Sequence, residues 1–326
     1  MFFKLLFSLL FAVGLGVFSS PSVFITSQPG PSEDALWLSP ITYSHHLDGP
    51  ILAPASSFWY LTQWSGTSQM NATSAVLGSG PCAPFESNGW KTLWHVSTET
   101  IGAVACMQVK NSQHALLTLQ NGELLPCGAE YDLFLAPTDK AYDNAPQNVI
   151  PLSLGSISFF NVSFDAELLT FSTAARCGPV NSCGPSGHLD YGYIVLGIVL
   201  SSGDQTIFYQ TILADTRTAP SCPREDPCSP FAFWYGTNFT VGFSESITNL
   251  KIPGATCLNT NLTGSTHYAL PLYNRLVQSV IDATTLYPGM NSNISEWFAT
   301  GIYVGTGMEG STTAAFRIGG VNVVTS

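Results

Sequence analysis

Gly305-Thr-Gly307-Met-Glu-Gly310 has the G-x-G-x-x-G spacing that lets a backbone close on a pyrophosphate. That chemistry also needs a helix opening at the glycines and an acidic residue about twenty positions further on. Here Ser311 to Ile318 reads as a strand leading into Gly319-Gly320, so the motif is expected to be a glycine-rich hairpin turn. The six histidines (His45, His46, His95, His114, His188, His267) show no metal-ligand spacing, and the adjacent pair His45-His46 would point to opposite sides of a strand. No G-x-S-x-G elbow is present, so a serine triad would have to be assembled from distant residues. Carboxylate pairs for glycoside hydrolysis sit on separate strands and cannot be read from spacing. Asp165 and Glu167, the nearest such pair, are expected to be a solvated strand face. The residues therefore predict no catalysis and no cofactor.

The elements that would position any site are strands. Short aromatic or β-branched runs bounded by Gly, Pro, Asn and Ser recur at Phe58–Leu61, Trp90–Val96, Ile101–Val109, Ala115–Leu119, Ile157–Phe164, Tyr191–Leu200, Thr206–Leu213, Phe231–Phe243, Gly301–Val304 and Ala314–Val324. Two hairpins are expected: one about Asn121-Gly122, which suits a type I′ turn, and one joining Ile194–Leu200 to Thr206–Tyr209 through a longer loop. Only Tyr273–Leu286 carries helical spacing, with Leu276, Val277, Val280 and Ile281 on one face. Many strands without βαβ alternation predict an all-β antiparallel sandwich with at most a short helix.

Composition narrows the function classes. The 326 residues include only 10 Lys or Arg against 21 Asp or Glu, a charged fraction of 10% where a soluble domain averages about 25%. A net charge of -11 without a basic run leaves nothing to neutralise a phosphate backbone, which excludes nucleic acid as a partner. Met1 to Ser20 has the charged, apolar and small-residue order of a secretory signal, leaving residues 21–326 as one domain. Eight cysteines fit an oxidising compartment. Cys177 with Cys183, and Cys222 with Cys228, each enclose a short turn-rich loop that a local disulfide would close. The sequons at Asn71, Asn161, Asn238, Asn261 and Asn293 are acceptor candidates, and glycans there would hydrate a surface poor in charge. In Phe58-Trp59-Tyr60 alternate members face opposite ways, so one of Trp59 and Tyr60 is placed outward or at a rim, where an aromatic stacks on sugar or anchors a protein.

Several segments together resemble a known family. Ser57-Phe-Trp-Tyr-Leu, Asn88-Gly-Trp-Lys-Thr-Leu-Trp-His-Val and His114 to Cys127 come in the order of the first strands of coronavirus spike N-terminal domains. His267-Tyr-Ala-Leu-Pro-Leu-Tyr-Asn, Glu296 to Gly305 and Thr313 to Val323 resemble that domain's end, whereas Asp132 to Cys257 has no counterpart. The resemblance implies a galectin-like sandwich on a trimeric fusion glycoprotein at the virion and host-cell surface. It would attach virions through a sialylated glycan or a protein receptor and catalyse nothing. It also implies that Trp59 lines a sugar pocket, with Ser57 and Tyr60 beside it. A secreted lectin-like or hydrolytic β-sandwich glycoprotein is the alternative.

Overall fold

In a computed structural model, the described residues are 36–38, 59–62, 76–77, 91–97, 104–111, 114–120, 130–136, 151–173, 191–215, 232–235, 239–246, 266–309 and 312–326. The expected signal segment, Ser57, Asn71, Asn238 and Asn261 lie outside them. So do Cys177, Cys183, Cys222 and Cys228, and the two expected local disulfides therefore fall outside the described residues as well.

Sixteen strands are present among these residues. They are β1 (Leu36–Leu38), β2 (Trp59–Thr62), β3 (Val76–Leu77), β4 (Lys91–Ser97), β5 (Val104–Asn111), β6 (His114–Gln120), β7 (Glu130–Ala136), β8 (Leu152–Ser153), β9 (Phe160–Thr173), β10 (Tyr191–Ser202), β11 (Gln205–Asp215), β12 (Ala232–Tyr235), β13 (Thr240–Ser246), β14 (Thr266–Pro271), β15 (Phe298–Glu309) and β16 (Thr312–Thr325). A single α-helix, α1 (Tyr273–Leu286), stands between β14 and β15. One sheet runs β1-β2-β7-β15-β10-β11-β13-β12, with β8 on the end of β15, and the other runs β14-β9-β16-β6-β5-β4-β3. This is the expected all-β sandwich. Its pairing is antiparallel except where β1 meets β2 and β11 meets β13.

Local chemistry explains the central hairpin. Ser202 pairs with Gln205, which leaves a two-residue turn, Gly203-Asp204, shorter than expected. Gly203 has φ +60 and Asp204 keeps a negative φ, the pattern of a type II′ turn with glycine first. The Phe231–Phe243 run divides into β12 and β13, turning at Phe239 with φ 52.

Two hairpin expectations are corrected. Over His114–Gln120, β6 is paired on one side to β5 and on the other to β16, so no edge remains for a partner strand folding back through Asn121-Gly122. The glycine motif is not a hairpin turn either: Gly305 and Gly307 lie inside β15, paired to β7 and β10, and the chain then leaves for β16 in the other sheet.

The helix forms where its period predicts but turns a different stripe inward. Leu272, Leu276, Ser279, Val280 and Ala283 are buried, Val277 is half-buried, and Ile281 is exposed. Successive β10 residues alternate as a strand should. Ile194, Leu196, Ile198 and Leu200 are buried on one side, while on the other Val195 and Gly197 are buried too and Tyr193, Val199 and Ser201 are half-buried.

Candidate functional site

The half-buried side of β10 continues across its neighbours. Register places Tyr193 opposite Gly307, Val195 opposite Gly305 and Gly197 opposite Tyr303 on β15, and Gly197 opposite Gln210 on β11. Gln210 in turn stands opposite Ser244 on β13. A polar ladder runs through these positions. Ser244 Oγ donates to Gln210 Oε1 at 2.9 Å, and Gln210 Nε2 donates to the Tyr303 hydroxyl oxygen at 2.8 Å. Phe134 of β7 meets the Tyr303 ring edge-on at 5.3 Å and 82°, and Phe208 meets it at 6.4 Å.

Glycine is what admits the two tyrosines. A Cβ on Gly197 would stand 2.0 Å from Tyr303 Cζ, and one on Gly307 would stand 2.3 Å from Tyr193 Cζ. The Tyr303 ring cannot retreat, being 1% exposed, wedged by two phenylalanines and held by Gln210. Tyr193 is half-buried at the margin of that core, so its ring is less enclosed than that of Tyr303. Gly197→Ala is therefore expected to cost about 1–3 kcal/mol of overpacking, and Gly307→Ala less. Denaturant midpoints of the two variants check this, and the reverse ranking would refute it.

Three acidic residues enter the same part of the sheet by register. Phe134 pairs with Gly305, Asp132 with Gly307, and Glu130 with Glu309. Positions 130, 132 and 134 share one parity on β7, as do 303, 305, 307 and 309 on β15. Directly opposed positions on antiparallel strands hold their Cβ atoms about 4.5–5.5 Å apart, and diagonal ones about 7–8 Å.

A second polar cluster lies on the opposite side of the sheet, beneath α1. Tyr209 donates its hydroxyl proton to Glu245 Oε1, and Arg275 Nε of the helix stands 3.6 Å from the same oxygen. Burial raises the Glu245 pKa above the usual carboxylate range, against the lowering effects of the Tyr209 hydrogen bond and Arg275. Burial, followed by the Glu245 charge, raises Tyr209 as well. With the helix over it, this cluster anchors α1 to the sheet. Because the native Glu245 pKa exceeds the unfolded value of about 4.3, its contribution is fully present below that value and is lost as pH rises through the native pKa. Glu245→Gln, which keeps an acceptor for Tyr209, is expected to lose that dependence. Melting temperatures from pH 4 to 8 should show the parent losing stability relative to the variant as pH rises, and parallel curves would contradict the assignment.

The other sequence-predicted residues lie elsewhere. Asp165 and Glu167 are on the outward side of β9, where Asp165 pairs with His267 Nδ1 at 2.9 Å, in keeping with a solvated face. Trp59 and Tyr60 open β2, which flanks β7: Tyr60 stands opposite Ala136 and Thr62 opposite Phe134. Tyr60 thus shares the parity of the site, and Trp59 has the opposite one. Asn161 is on β9, and Asn293 caps a 3-10 turn at Ile294–Glu296. Among the described residues no three His, Cys, Asp or Glu side chains stand together as a metal site. Sequence reasoning missed Glu130, Asp132 and Glu309. The signal that could have found them is the period-two pattern Glu-Tyr-Asp-Leu-Phe-Leu of β7.

Fold and face together define an all-β sandwich with a glycine-floored, aromatic and polar strip along one sheet. No family model matches the sequence, and no curated protein does. Among solved structures it is similar to the family 11 xylanase of Neocallimastix patriciarum, at 8% identity over 82% of this chain and 100% of that one, with TM-score 0.40. Endoglucanase Cel12A of Rhodothermus marinus matches at 12% identity over 81% and 99%, with TM-score 0.38. Endoglucanase 3 of Trichoderma harzianum matches at 10% over 80% and 97%, with TM-score 0.36. The expectation of a chain that catalyses nothing is corrected at this point, since these neighbours are all described as polysaccharide-cleaving enzymes. Likeness at this level carries no activity across to this chain. The spike resemblance gains no support from any of these comparisons.

Proposed function

We propose that this chain binds a polysaccharide along the strip formed by β7, β15, β10 and β11 and cleaves its glycosidic bonds there. The observation that carries the reading is the register of β7 on β15, which sets Glu130 opposite Glu309 and puts Asp132 in one row with Gly307 and Tyr193. A sugar ring needs apolar faces for its C–H surface and neutral hydrogen-bond groups for its hydroxyls, and the half-buried Tyr193, Val199, Ser201 and Gln210 offer both above a buried layer of Tyr303 and Phe134. One carboxylic acid would protonate the departing oxygen while a carboxylate activates water or attacks the anomeric carbon. No metal is called for by this chemistry.

The test is release of reducing ends from carboxymethylcellulose, xylan and xyloglucan by the purified chain, with Glu309→Gln as the inactive control. Release that Glu309→Gln abolishes supports the reading. No release from any of the three, together with cell staining that sialidase removes, would favour receptor attachment in its place.

A further inference from the structure

The pleat of β9 turns Asn161, Ser163, Asp165 and Glu167 outward while Phe160, Val162, Phe164 and Ala166 are buried. Around Asn161 this outward surface becomes apolar. Asn161 is paired to Pro271 on one side and to Val324 on the other, and both of these are exposed. Phe159, two residues earlier, is 40% exposed, and Val324 is 42% exposed. Three apolar side chains therefore border one amide at the end of a sheet face that continues with Ser163, Asp165, Glu167, His267, Ala269 and Asn322. Asn161-Val-Ser163 is an N-x-S sequon.

We propose that Asn161 carries an N-linked glycan whose first N-acetylglucosamine lies over Phe159, Pro271 and Val324. A pyranose presents a face of C–H groups, which packs on an aromatic ring and aliphatic carbons and removes them from water. The covalent link holds the sugar at high local concentration over the patch, so a contact too weak to form between separate molecules is populated. This gives an occupant to an apolar patch that a soluble domain would otherwise leave in water.

Asn293 provides the contrast. Its Oδ1 accepts from Ser295 N at 3.2 Å and from Ser295 Oγ at 2.7 Å, and its Nδ2 donates to Glu296 Oε1 at 2.9 Å. That side chain is set in a polar clasp, so a glycan on its Nδ2 competes with the bond to Glu296.

The proposal rests on passage through the secretory pathway. The full chain should therefore be secreted from eukaryotic cells behind a heterologous signal sequence, so that the test does not depend on residues 1–20. Glycopeptide mass spectrometry is expected to find Asn161 occupied. Ser163→Ala, which removes the acceptor but keeps Asn161, should lower Tm by about 2–4 °C. Enzymatic trimming of all glycans to one N-acetylglucosamine should leave Tm unmoved, because the first sugar makes the contact. Phe159→Ser should lower Tm in the glycosylated chain, and Ser163→Ala should then add little. An unmodified Asn161 peptide in the secreted chain overturns the proposal. So does a Ser163→Ala effect of equal size in the parent chain and in the Phe159→Ser variant.

Discussion

Trp297→Ala is expected to be the most destabilising single truncation among the described residues, at about 3–5 kcal/mol. Trp297 is the largest fully buried side chain, with 0% exposure. It closes the 3-10 turn, donates Nε1–H to the Asn291 carbonyl at 2.8 Å, and accepts at its own carbonyl from Leu154 N at 2.8 Å. Alanine leaves a cavity of indole size and an Asn291 carbonyl without its donor. The segment it fastens is the entry to β15, on which Asn291 also holds Ser202 and Glu296 through its side-chain amide. Against a total stability of about 5–15 kcal/mol for a native domain, such a loss is large. Trp297→Phe keeps most of the volume and gives up the hydrogen bond, so about 1–2 kcal/mol is expected. Denaturant titration checks both. The midpoint should fall with an unchanged slope. A loss below about 1 kcal/mol for alanine would show that the loop, and not the indole, holds β15.

Glu309→Gln should lower kcat on a cleaved polysaccharide by about 10²–10⁴-fold, the range in which a positioned acid or base contributes. The substitution is nearly isosteric and removes only the proton chemistry. Glu130→Gln and Asp132→Asn distinguish the two geometries open to Glu309, since Glu130 is directly opposite and Asp132 diagonal. The working partner should match the loss of Glu309, and the other should retain most of the activity. A variant that has lost the general acid should also lose the alkaline limb of the pH–rate profile, which a merely structural role would leave in place. Equal small losses for all three, with KM alone altered, would mean that these carboxylates only bind.

The elements were legible where their cause is local. Tyr273–Leu286 is a helix because its apolar residues recur at helical spacing, and Tyr191–Leu200 and Thr206–Leu213 are strands because β-branched runs favour a pleated, half-buried surface. The two hairpin errors share a cause. Asn-Gly and a glycine cluster signal what the backbone tolerates, but not whether a sheet edge is free to receive the returning strand, and β6 already has two neighbours. The helix face also differs: the stripe through Leu272, Leu276 and Val280 is buried, Arg275 stands 3.6 Å from Glu245, and Ile281 is left in water.

The candidate site was the least legible part. β7 reads poorly as a strand because Glu130 and Asp132 interrupt its apolar residues, and those are the residues the proposed chemistry uses. By itself the sequence determined the class of fold, the helix at Tyr273–Leu286 and the central strands, all of which follow from short-range periodicity. Only the tertiary structure decided that β7 pairs with β15, that Glu130 meets Glu309, and that Gly197 and Gly307 lie under tyrosine rings. Strand pairing closes loops of unrestricted length, and its register is set by which faces are buried together, a condition no window along the chain contains.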